Sequence, residues 1–206
     1  MNENRKRKLW LISLVFFCLA GLRVDPVGAQ EAPADTTRWA IKTNLLGWAT
    51  TSINLAGEVT LDERNSLNLA ISYNPFTFAD NRKWRHILVQ PEWRYWTDRV
   101  FNGHFVGLHL LYTHYNAGNV DLPFGLWSGL ERYRYQGDLF GAGLAYGYRW
   151  RLGRGWQMEA SLGLGYGYTR YKKYECPECG AYLGKESRHL FMPTKTALSL
   201  IYVFGE

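Results

Sequence analysis

Between Trp39 and Phe204, apolar side chains alternate with polar, charged or glycine residues in eight successive segments. A period of two means strands with two unlike faces, and this constrains the chain more than any other feature. The segments are Trp39 to Trp48, Ser52 to Leu61, Ser66 to Asn74, a fourth around Ile87 to Tyr95, His104 to Tyr115, Leu139 to Leu152, Trp156 to Tyr171 and Thr194 to Phe204. In the seventh, Met158, Leu162, Leu164, Tyr166 and Tyr168 oppose Gln157, Glu159, Ser161, Gly163, Gly165 and Gly167. Pro91 interrupts the fourth, which predicts a bulge or an unpaired position, since proline donates no hydrogen bond to a ladder.

Which face points inward is decided by charge. Lys42, Glu58, Glu92, Arg94, Arg149 and Glu159 share the face of the small and polar residues. Turning that face to solvent, as in a soluble lipocalin-like barrel, leaves an aromatic interior too bulky for a small barrel. The expected fold is therefore all-β, an eight-stranded antiparallel transmembrane up-and-down barrel with apolar residues outward and polar residues inward. A tight turn at Gly153, Arg154 and Gly155 fits one end, and long loops over 116–138 and 172–193 fit the other. Trp39, Trp48, Trp93, Trp96, Trp150 and Trp156 near strand ends are expected in interfacial girdles.

The N-terminus carries Arg5, Lys6, Arg7 and Lys8, then an apolar run from Leu9 to Leu22, then Val27, Gly28 and Ala29. This is the layout of a cleaved signal peptide over residues 1–29, and the run is too short to span a bilayer comfortably. Phe16 and Phe17 beside Cys18 argue against a lipoprotein anchor. Removal leaves 177 of 206 residues, a linker over 30–37 and one barrel domain over 38–206. The leader's five Lys and Arg against Glu3 and Asp25 remove three of the six net positive charges, so nucleic acid is not an expected partner. The expected location is the bacterial outer membrane.

From Lys42-Thr43-Asn44-Leu45-Leu46 onward the chain resembles a Bacteroidota-type family of small outer-membrane barrels classed as a domain of unknown function. Further matching motifs are Gln90-Pro91-Glu92-Trp93-Arg94-Tyr95-Trp96, Tyr115-Asn116, Cys176-Pro177-Glu178-Cys179-Gly180 and Pro193-Thr194-Lys195 before Leu198-Ser199-Leu200-Ile201-Tyr202. The resemblance covers nearly all of the chain after the leader and implies an outer-membrane barrel. It carries no catalytic residue across.

Cys176 and Cys179 in an exported loop suit a local disulfide. A zinc knuckle is the alternative, with His189 as third ligand and Glu175, Glu178 or Glu186 as a forced fourth, so the metal stays open. The six inward charges are expected to pair as a polar plug, in preference to an acid/base site or an ion path. Lipid-modifying barrels place a serine two residues after a histidine on one strand face; here His114 is followed at that spacing by Asn116, and Ser128 has no supporting spacing. Phe124 and Trp127 in an apolar loop stretch, with Arg132 and Arg134, form an expected binding patch or a cap on the barrel mouth. The expected function is a non-enzymatic barrel binding a surface protein partner, outer-membrane lipid or lipopolysaccharide, in adhesion or assembly of a surface structure, without cofactor. The alternative is a lipid-modifying enzyme at the outer rim.

Overall fold

Arg154 and Gly155 hold φ of 54° and 76°, so both central positions of this two-residue hairpin are left-handed, the turn whose twist matches that of its strands. The computed structural model describes residues 38–77, 83–119, 133–175 and 180–204. Among them lie β1 (Trp39–Asn44), α1 (Leu45–Ala49), β2 (Ile53–Thr60), β3 (Asn65–Asn74), β4 (Lys83–Trp96), β5 (Gly103–Gly118), β6 (Arg134–Gly153), β7 (Trp156–Tyr174) and β8 (Tyr182–Phe204). Each strand pairs antiparallel with the next, and β1 pairs with β8 to close an all-β barrel. The expected leader and linker lie outside the described residues.

The first segment ends sooner than its alternation implies. Asn44 accepts from the Leu46 amide at 3.1 Å and caps α1, so Leu45 to Trp48 leave the strand as a short helical turn. The same Asn44 side chain donates to the Thr196 carbonyl and accepts from the Leu198 amide, extending the β1–β8 seam by one amide group.

At the opposite end the last three strands are longer than expected. The register of β7 against β8 runs from Trp156↔Tyr202 to Tyr174↔Tyr182, so most of the expected loop over 172–193 is ladder. The β5–β6 ladder likewise reaches Ala117↔Tyr135. Above the apolar band both faces carry polar residues, so the periodicity that marks a strand fades while the hydrogen bonding continues.

Pro91 is unpaired toward β5. The ladder there passes from Val89↔Tyr112 to Glu92↔His109 with no slip in register, and Pro91 pairs on its other side with Leu69. Trp96 departs from the girdle expected of it. It points inward, fully buried, and donates Nε1 to Ser66 Oγ at 2.9 Å.

The interior is filled in layers. Near the short turns Trp96, Val100, Phe101, Phe105, Ile201 and Val203 form an apolar plug; charges occupy the middle; Leu111, Tyr115, Ala117 and Leu139 pack nearer the long connections. Phe101 adopts φ 68°, unusual for a bulky residue, and its buried ring lies under the Arg149 guanidinium at 4.8 Å.

Glycine makes room for this filling. A Cβ at Gly147 would meet the Phe105 ring and, at 2.9 Å, the Ala160 carbonyl, whereas at Gly57 on the outer face it would meet nothing within 4 Å. Gly147→Val is expected to lower the unfolding free energy by about 1–3 kcal/mol through overpacking, with Gly57→Ala near wild type. Urea titration of the folded barrel, followed by tryptophan fluorescence, checks the pair; equal midpoints for wild type and Gly147→Val would contradict the close packing.

Candidate functional site

The six charges expected on the inward face come together from five strands, and a seventh joins them. Lys42 of β1 lies 2.8 Å from Glu58 of β2 and 3.7 Å from Glu159 of β7. Arg94 of β4 reaches Glu159 at 2.9 Å, Glu92 at 3.0 Å and Glu58 at 3.2 Å. Arg149 of β6 contacts Glu159 at 2.7 Å and also pairs with Glu58. All six side chains are buried.

Both guanidinium groups also face rings, Arg94 at 4.4 Å from the centroid of Phe105 and Arg149 at 4.7 Å from that of Trp96. Desolvated cations over aromatic faces gain electrostatic attraction. Ser66 donates to the second oxygen of Glu58 at 2.6 Å, so this carboxylate has partners on both oxygens. Buried charges are tolerated when paired and hydrogen-bonded in this way. Chemically the arrangement braces opposite walls of the barrel through Glu58 and Glu159, each of which meets cations from several strands.

The seventh charge is Lys195 of β8, which pairs with Glu92. A shift in register between Gly163 and Leu164 places Thr194 as an extra residue, so Thr194 and Lys195 follow one another on the inward side. His109 lies 2.8 Å from Thr194 Oγ1, and Gln90 donates to the Thr194 carbonyl at 3.0 Å. Counting odd positions back from Val203 reaches Lys195 and would have found it in sequence. Thr194 carries no such signal, because a bulge breaks the count.

The rim residues are separated from this cluster. His114 faces outward near the top of β5, with Nδ1 2.8 Å from Asp138 Oδ1, and Tyr112 donates to the same oxygen at 3.1 Å. His104, also exposed, lies 2.5 Å from the Tyr146 hydroxyl at the other end of β5. No described serine bonds to His114, and Ser128 lies outside the described residues. Of the expected loop patch, Arg134 sits 4.2 Å over the Tyr174 ring, while Phe124, Trp127 and Arg132 lie outside the described residues. Cys176 and Cys179 are outside them too. His189, weighed as a metal ligand, faces outward with Nδ1 2.5 Å from the Tyr166 hydroxyl.

Residues 13–204 match the family model described as "Protein of unknown function (DUF3575)". The chain belongs to the DUF3575 family. The match takes in every described strand, so the ion cluster and the rim of this DUF3575 chain both lie inside it. No curated protein and no solved structure matches the chain.

Glu159→Ala leaves Arg94 and Arg149 buried with fewer partners, and is expected to cost about 3–5 kcal/mol of unfolding free energy. Lys195→Met removes a partner of Glu92 alone and should cost less. Chemical denaturation of the two variants measures the difference, and a neutral Glu159→Ala would show that the cluster does not brace the walls.

Proposed function

We propose that this chain is an exported outer-membrane barrel of non-enzymatic role, placed in the bilayer by its outer face and using its loops and the β7–β8 hairpin to bind a surface partner or the outer leaflet. The observation that carries this is the inversion of an ordinary barrel. Leu110, Leu144 and Leu162 are 60 %, 62 % and 56 % exposed while the paired charges are buried. Water disfavours such a surface and hydrocarbon does not.

Dimensions agree with this placement. From Trp156 to Tyr166, both outward on β7, ten steps at about 3.3 Å and a tilt of about 40° rise roughly 25 Å, the height of an outer-membrane apolar band. Tyr95, Trp156 and Phe204 lie toward one edge of that band and Tyr73, Tyr112 and Tyr166 toward the other, all exposed. The basic and apolar leader over 1–29 supplies the route of export. With plug, ion layer and upper cluster filling the interior, bracing suits the lumen better than conduction.

One observation favours a second role. His114 and Asp138 form an exposed pair at the upper rim, the orientation in which an imidazole can serve as a base toward an outer-leaflet lipid. Lipid A mass spectrometry on membranes with and without the gene separates the two. The binding role predicts an unchanged mass; a shift on deletion, restored by wild type and not by His114→Ala, would establish the enzyme. Fractionation tests the placement itself: the chain should stay with outer membranes after carbonate and urea washes, and its recovery in soluble fractions would refute insertion.

A further inference from the structure

Lys172 of β7 stands directly opposite Lys185 of β8. Like charges in opposed cross-strand positions repel. Both are exposed, and neither has a carboxylate partner among the described residues. One step lower on the same outward face, Arg170 is also exposed, its Nε donating to the Tyr168 hydroxyl at 3.1 Å and its guanidinium 5.3 Å from that ring's centroid.

The nearest acids do not relieve this cluster. Asp138 is opposite Arg170 on β6 but is held by His114 and Tyr112. Glu186 follows Lys185 in an alternating strand and so belongs to the other face, where it accepts from Tyr171 at 2.9 Å. Below the cations come Tyr166, Tyr168 and His189, with His189 packed against both tyrosine rings. Phe191, level with Tyr166, is exposed to 78 %, and Leu164 is exposed one row lower.

We propose that the outer face of the β7–β8 hairpin binds a phosphorylated glycolipid, with Lys172, Lys185 and Arg170 on its phosphates and its acyl chains along Tyr166, Phe191 and Leu164. The proposal rests on the membrane placement above and specifies the ligand of that outer surface. Opposed residues on an antiparallel pair stand about 5 Å apart at Cβ, so two lysine ammonium groups can close on one phosphate, whose several oxygens accept from both. Arg170 follows one row, about 7 Å, nearer the aromatic edge and adds a third cation to the same face. An anion removes the repulsion between the lysines, and the rings beneath supply the contact that a free phosphate would not need.

The test inserts the full chain into phosphatidylcholine vesicles containing dansyl-labelled diphosphoryl lipid A, or the same glycolipid stripped of its phosphates, and reads energy transfer from tryptophan. Preference for the phosphorylated lipid is expected. Lys172→Gln with Lys185→Gln should weaken its apparent affinity by about fivefold or more and leave the stripped lipid unaffected, whereas Arg154→Gln at the opposite end should match wild type. Equal binding of the two lipids, an unaffected double variant, or an equal loss in Arg154→Gln would each overturn the proposal. Flotation of the same vesicles is read separately: a chain that fails to float refutes the membrane placement, while one that floats without phosphate preference refutes only the glycolipid site.

Discussion

Glu58 and Glu159, held between Lys42, Arg94 and Arg149, are the interaction on which the rest of the barrel depends. An eight-stranded barrel is only wide enough for its own side chains. Putting charges there is tolerable when each finds partners across the lumen, and those partners come from different strands. The pairing therefore acts on closure of the whole sheet, which hydrogen bonds between neighbouring strands alone specify only locally. Glycine on the inner faces of β5 and β6 follows from the same constraint: Glu92 leans over Gly107 of the adjacent strand and Phe105 over its ladder partner Gly147, and neither position has room for a Cβ.

Committing the middle of the interior to charge leaves the apolar residues of the alternating strands beside it to face outward. Along β3, Leu67, Leu69 and Ile71 face outward while Ser66 and Asn68 are buried, and the other strands repeat this division. The proposed bilayer placement is the environment in which both halves of the alternation are favourable at once. Above the apolar band that pressure ends, and β7 and β8 continue as a polar hairpin. There β8 has lost β1 as a neighbour, and Asn44 and Pro193 limit the exposed backbone groups near the seam, one by supplying an amide and the other by lacking an N–H.

Legibility in sequence tracked how strongly each residue's position was tied to period two. The six lumen charges were legible because each falls on the small-residue face of a clearly alternating strand, and such a face has only one place to go when its opposite is continuously apolar. Lys195 lies on the correct parity, but the bulge at Thr194 breaks the alternation beside it. Residue type alone points Trp96 to the girdle, but its even position on β4, shared with Glu92 and Arg94, turns it inward. The ends of β6, β7 and β8 were not legible, since polar residues on both faces carry no period.

By itself the sequence determined strand number, the identity of the two faces and the tight hairpin at Gly153 to Gly155, because alternation and left-handed turn residues act over a few neighbours. Tertiary structure alone decided which carboxylate meets which cation, the bulge that brings Thr194 to His109, and the opposition of Lys172 to Lys185. Those depend on register between strands, and register is a property of two chain segments that the local pattern of either one does not contain.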